Sequence, residues 1–291
     1  MKRIGFLFFV SLLIFSSCKA PSDRERSEKD HLRIVYTDWS ESMALTYLTS
    51  ILLERDLGFG VSLKMTEVDN VFNEIASAEA DIFVDAWLPS THSEYLALYE
   101  NRIEVLGINY QPARTGFVVP KYMDIESIGQ LNDYYTGPIA GIDTTAGIMR
   151  VAREVIEAYG LQNELRVLSE EQMIGELRNA VRRQERIVIT GWDPHWMFFR
   201  YDLKFLMDPL EIFMQEEQIY SIARTGFADE NPVVATFLER MVLTERQMKS
   251  LLFEMHLSAD PREGVKKWIK ENEFVVNQWT RGLTPQRKKI M

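Results

Sequence analysis

Three short runs of strand character each end on a tryptophan: Arg33 to Trp39, Ile82 to Trp87 and Ile187 to Trp192. A turn or a helix-compatible segment follows each of them. Strands that alternate with helices fold as a largely parallel sheet covered by helices. In such sheets ligands bind at the carboxyl ends of the strands. The pattern therefore commits the chain to an α/β architecture and brings three indoles to one region. A lone tryptophan after a strand is ordinarily a packing residue. Here the same local grammar recurs, and in Trp87-Leu88-Pro89 and Trp192-Asp193-Pro194 a proline two residues later turns the chain at the sheet edge. Indole faces attract cations, so the spacing points to an aromatic box for a quaternary ammonium group, formed by Trp39, Trp87 and Trp192.

The alternation runs twice. Strands are expected at 33–38, 61–68, 82–86, 103–108 and 114–119, with helices at 43–53, 71–78 and about 90–99 capped by Ser90 or Thr91. The pattern then restarts, with strands near 138–143, 165–168 and 186–190 and helices at 148–159 and 170–182. One more extended segment, 219–224, precedes a helical tail. In that tail Thr244 with Gln247 reads as a capping box, and Asp260-Pro261 as a cap followed by proline at the first helical position. Trp268 and Trp279 read as packing residues there. The layout predicts two lobes, 32–113 plus 225–291 and 114–224. Two extended crossings, near 110–118 and 218–225, form a hinge, and a ligand cleft lies between the lobes.

The ends add location. Lys2 and Arg3, the apolar stretch Ile4 to Phe15 and the small residues before Cys18 predict a signal peptide over residues 1–17. That stretch is shorter than the roughly twenty apolar residues that cross a bilayer. Cys18 is the only cysteine, so no intrachain disulfide forms. Its setting resembles the lipobox of bacterial lipoproteins, with Phe15 where leucine is usual, and predicts lipidation at Cys18. Residues 18–31 form the lipidated start and a polar tether. An extracytoplasmic body held to a membrane through lipid alone follows. With Lys2 and Arg3 removed, 31 basic residues face 43 acidic ones. Such a surface argues against nucleic acid as a partner. No phosphate-binding Gly-x-x-x-x-Gly-Lys-Ser/Thr loop occurs, and no cofactor or metal is implied: the four histidines lie at no metal-ligand spacing.

Other residues complete a ligand site. Asp143-Thr144-Thr145-Ala146-Gly147-Ile148 joins a strand to a helix start, where free N–H groups and the helix dipole accept a carboxylate. His92, five residues after Trp87, could donate to the same carboxylate or serve only near the helix start. His195 and Trp196 are read as shaping the turn behind Trp192.

The segments Asp85-Ala86-Trp87-Leu88-Pro89-Ser90-Thr91-His92, Gly116 to Met123, Gly141-Ile142-Asp143 with Gly147-Ile148-Met149, and Gly191-Trp192-Asp193-Pro194-His195-Trp196-Met197 resemble glycine-betaine-binding proteins. These are extracytoplasmic solute receptors of osmoprotectant ABC importers. The likeness covers nearly the whole chain after the signal segment. It implies a bilobal periplasmic-binding-protein fold of type II character. It also implies a prism of Trp39, Trp87 and Trp192 around a trimethylammonium group, with His92 and the amides of Gly147 and Ile148 on the carboxylate. Glycine betaine or proline betaine is the expected ligand, and an ABC permease with its separate ATPase the expected partner of a monomeric receptor. Some members carry the lobes in permuted order, and Thr144-Thr145-Ala146 stands where others have proline, glycine and serine. Choline or carnitine is the nearest alternative ligand. An extracytoplasmic enzyme or a sensor domain for such compounds is the alternative from another class.

Overall fold

The computed structural model describes residues 31–213 and 216–283. The expected signal peptide, Cys18 and most of the tether lie outside these residues. Strands run β1 (His31–Tyr36), β2 (Gly60–Met65), β3 (Ile82–Leu88), β4 (Ile103–Pro120), β5 (Ile139–Ala140), β6 (Leu165–Arg166), β7 (Val188–Asp193), β8 (Leu203–Phe205) and β9 (Glu217–Arg224). The longer helices are α1 (Ser40–Arg55), α2 (Val68–Ala76), α3 (Gly147–Ala158), α4 (Glu170–Arg183), α5 (Pro232–Arg240), α6 (Glu245–Leu257), α7 (Pro261–Glu271) and α8 (Glu273–Thr280).

The strands make two sheets that share β4. The first has the order β2-β1-β3-β9-β4, with β1 parallel to both β2 and β3 and with β9 antiparallel to β3 and β4. The second continues β4-β7-β5-β6, with β8 also on β4. This is the two-lobed arrangement that the double alternation predicts.

Two details differ from the sequence reading. The strands expected separately at 103–108 and 114–119 are one continuous strand, β4: its first half pairs with β9 and its second half with β7 and β8. The turn-forming pair Gln111-Pro112 falls where the pairing changes partner, so proline removes no needed ladder bond there. The extended segment 218–225 was expected to cross between lobes. Strand β9 instead pairs from Glu217 onward within the first sheet, opposite Ala113 at one end and Ile103 at the other.

The helices form where their apolar residues meet a sheet. Ala44, Leu45, Leu48, Ile51 and Leu52 of α1 are buried, as are Ile148, Met149, Val151, Ala152 and Val155 of α3. Thr244 with Gln247 forms the expected capping box on α6, and Asp260 accepts the Arg262 N–H to start α7. Trp268 and Trp279 are both buried, and the Trp268 indole donates to Ser250. The helix expected from Ser90 or Thr91 begins instead at Ser93, without a side-chain cap. Thr91 is taken by another partner: its hydroxyl and N–H both donate to the buried Glu217 carboxylate, at 2.6 and 2.7 Å. Among the described residues no helix is long and apolar enough to cross a membrane.

Candidate functional site

Trp39 leaves the end of β1 as the residue before α1, Trp87 lies on β3 and Trp192 on β7, paired opposite Thr115 of β4. The three indoles thus come from both lobes, and all three line one cavity. Their exposures are 5, 3 and 3 %. Their burial is not that of separate cores, because all three border this common space. His92, Gly147 and Ile148 line the same cavity, together with Glu41, Thr91, Thr115, Ile142 and Ala146. Every residue singled out in the sequence as a ligand contact is therefore brought together.

Each indole N–H is held by a carboxylate. Trp39 donates to Asp143 at 3.3 Å, Trp87 to Asp85 at 3.0 Å and Trp192 to Glu41 at 2.8 Å. The first and third of these bonds cross between the lobes. A ring fixed at its N–H edge keeps its π face turned, and cation–π attraction depends on that face. The sequence reading missed these anchors, above all Glu41. A signal was available: Asp85 and Trp87 are two residues apart on a strand, so both point to the same face.

Glu41 and Asp85 are buried acids that hold their protons more tightly than exposed carboxyls do. Burial, then the nearby Asp85 and Glu170 carboxylates, push the Glu41 carboxyl well above its ordinary range. Burial does the same to Asp85, against the hydrogen bonds from Trp87 and Ser42. One Asp85 oxygen has no hydrogen-bond partner among the described residues.

His92 is of the opposite kind. Burial first, and the Arg150 charge second, pull its pKa down to about 3. Its Nδ1 accepts the Trp87 backbone N–H at 3.0 Å. The neutral ring must then carry its proton on Nε2, and Nε2 is buried without a hydrogen-bond partner. The loop that holds His92 is fastened by Glu217 through Thr91. Opposite it, α3 begins at Gly147, and the first amides of a helix have no partner within the helix. The two sides approach closely: a Cβ on Gly147 would lie 2.0 Å from the Thr91 carbonyl oxygen. Only glycine fits this contact.

His195 and Trp196 do more than shape the turn after Trp192. His195 Nδ1 accepts the Met197 N–H, and Nε2 meets Glu170 at 3.0 Å. The Trp196 indole donates to Ser40 in the other lobe at 3.1 Å.

Two lobes joined through a shared strand, with an aromatic cavity between them, define a periplasmic-binding-protein fold, and two solved structures support that assignment. One is lactococcal OpuAC in its closed-liganded conformation complexed with glycine betaine: TM-score 0.83, 32 % identity, covering 86 % of this chain and 99 % of that one. The other is the glycine/betaine/L-proline-binding protein (ProX) from Borrelia burgdorferi: TM-score 0.81, 26 % identity, covering 87 % and 97 %. More narrowly, residues 30–271 match the family described as the substrate binding domain of the ABC-type glycine betaine transport system, and the chain belongs to that family. The glycine betaine/carnitine transport binding protein GbuC of Listeria monocytogenes serotype 1/2a (strain 10403S) is 35 % identical over 174 residues. That match spans 59 % of this chain and 57 % of GbuC, a little over half the length of the relative.

Proposed function

We propose that this protein captures glycine betaine, or a close relative such as proline betaine, outside the cytoplasmic membrane for the permease of an ABC importer. The observation that carries the reading is His92. It is a neutral imidazole with an unpartnered N–H, facing a cavity otherwise walled by indoles and by the start of a helix. A buried donor left without an acceptor costs roughly 1–3 kcal/mol. A ligand carboxylate removes that cost, with the amides of Gly147 and Ile148 and the α3 dipole as further support. The trimethylammonium end lies among Trp39, Trp87 and Trp192, at about 0.5–2 kcal/mol for each ring. Together these reach the micromolar range, which corresponds to about 8 kcal/mol, once apolar burial is included. The glycine betaine named for the lactococcal structure supports the same choice. Lipidation at Cys18 tethers the receptor to its membrane, a separate ATPase drives import, and the receptor acts as a monomer without enzymatic chemistry or cofactor.

A second reading, choline, is favoured by one observation: Glu41 brings an acidic side chain to the cavity wall, whose ionised form a ligand with net positive charge stabilises. Calorimetric titration with glycine betaine, proline betaine, carnitine and choline separates the two. Glycine betaine is expected to bind wild type and to lose at least tenfold in affinity in His92→Ala, while choline changes little. Tight choline binding alongside betaine affinity that ignores His92→Ala refutes the betaine assignment.

A further inference from the structure

Helix α1 starts directly after the box residue Trp39 and carries the box residue Glu41 in its first turn, yet no side chain of its own lobe caps it. A helix this long, sixteen residues, normally satisfies its first N–H groups with a nearby Ser, Thr, Asp or Asn. Here the partner comes from across the cleft, 130 residues away: the Ser40 N–H donates to Glu170 at 3.0 Å, and the Ser40 hydroxyl donates to the other oxygen of the same carboxylate. We infer that Glu170 is a positioning residue that caps α1 in trans, so that the helix bearing two walls of the ligand box is completed only when the lobes close.

The surroundings fit that role. Glu170 opens α4, which is itself capped by Ser169 with Gln172, so its backbone is fixed within the second lobe. His195 of the same lobe holds one Glu170 oxygen, through the ring nitrogen left free by the Met197 contact. The carboxylate is thereby aimed before any partner arrives. Trp196 adds a second cross-cleft bond to the Ser40 hydroxyl and stacks on His256 of α6, with ring centroids 3.6 Å apart and planes at 13°. The group lies at the rim, beside an open recess lined by Asp38, Met43, Glu170, Gly175, Trp196 and His256. Opening the lobes would hand the Glu170 carboxylate to water while leaving its His195 bond in place. Glu170 does not line the ligand cavity; its charge also raises the Glu41 carboxyl, and Glu170→Gln, which removes that charge and keeps an acceptor, separates this field from the cap. A carboxylate at a helix N-terminus also meets the positive end of the dipole, and hydrogen bonds to a charged group are the stronger kind.

The inference rests on the betaine reading for its ligand only. Its test is stopped-flow tryptophan fluorescence with glycine betaine on wild type, Glu170→Ala, Glu170→Gln and Ser40→Ala, beside thermal unfolding with and without ligand. Glu170→Ala is expected to raise the dissociation rate about tenfold with the association rate within twofold, and to lower the unliganded Tm, through the lost His195 bond, by less than the liganded one. Glu170→Gln, which keeps an acceptor, falls between. Ser40→Ala, which keeps the backbone donor, loses less than Glu170→Ala. An unaltered dissociation rate in Glu170→Ala overturns the inference. So does an unliganded Tm that falls as far as the liganded one, since Glu170 would then act inside a single lobe. Should wild type bind choline and not glycine betaine, the ligand assignment fails, and the same rate comparison made with choline still decides the cap.

Discussion

At the scale of single residues, the site is a set of tight choices with little room for exchange. Gly147 is the sharpest case, because any Cβ there would overlap the Thr91 carbonyl across the cleft. Gly147→Ala is expected to prevent full closure and to lower betaine affinity at least a hundredfold, with the unliganded Tm close to wild type. Calorimetry and a melt check this, and wild-type affinity in the variant contradicts the contact. Glu41 offers a test through pH. Its carboxyl is raised by burial and by its acidic neighbours, so the empty protein holds that proton to higher pH than an exposed glutamate does. A quaternary ammonium favours the carboxylate and so expels the proton. Affinity therefore climbs as pH rises through the raised pKa and sinks below it. Stability of the empty protein moves the other way: a raised carboxyl helps most below its unfolded pKa and loses that contribution as pH rises. Over the range above ordinary carboxylate titration in which that proton leaves, the dissociation constant of wild type is expected to fall as pH rises, by at most about tenfold per unit for one proton. Glu41→Gln should flatten the slope, and a flat wild-type profile removes Glu41 from the ligand's field. The indoles, His92 and the Gly147-Ile148 start were legible in the sequence because strand ends and helix starts carry local signals. Glu41, Glu170 and Glu217 were not, because their partners lie up to 151 residues away and only folding reveals them.

At the scale of elements, the sequence announced helices better than strand limits. Apolar spacing and capping residues marked α1, α3, α6 and α7 within a few residues, since those signals sit in the helix itself. It divided β4 in two, because Gln111-Pro112 reads as a break when the partner strands are unknown. In the folded chain the break is an exchange of partners: β9 holds the strand up to Ala113, and β7 takes over at Arg114. The same physics misplaced the return crossing, since β9 looks like any exposed extended segment until its two neighbours are known. The caps provide a control for the trans cap on α1. Thr244 caps α6 wholly within one lobe: its hydroxyl accepts the Gln247 N–H, and its own N–H donates to the Gln247 side-chain oxygen. Thr244→Ala should lose about 1 kcal/mol of stability, or roughly 2–4 °C in Tm for a chain of this size. Melts with and without betaine should shift equally, and the dissociation constant should stay put. A change in affinity would mean that α6 takes part in closure through His256.

For the whole molecule, among the described residues several hydrogen bonds join the lobes outside the shared strand, beside the stack of Trp196 on His256. They include Trp39 to Asp143, Trp192 to Glu41, Ser40 to Glu170, Tyr95 to the Thr145 carbonyl at 2.8 Å and Arg150 to the Ser90 carbonyl at 3.1 Å. Polar contacts exchange readily with water, whereas the apolar interiors of each sheet do not, so closure and folding are separable events. We propose that residues up to Ala113 together with those from Glu217 onward move as one body and that the intervening segment moves as the other. The bend would fall where β4 changes partner. On this account the empty receptor is more open than the structure described here. Small-angle scattering should give a smaller radius of gyration with saturating glycine betaine than without. At a hundredfold excess over the dissociation constant the ligand should add about 2.7 kcal/mol to unfolding, near 5–10 °C in Tm by the same scaling. The two readings are linked through Trp39. Its indole bond to Asp143 exists only when the lobes meet, so Asp143→Ala should enlarge the liganded radius and reduce the ligand-induced Tm shift together, with the unliganded values unmoved. A variant that loses the Tm shift while still compacting fully would show that ligand grip and lobe closure are set by different contacts, against the coupling argued here.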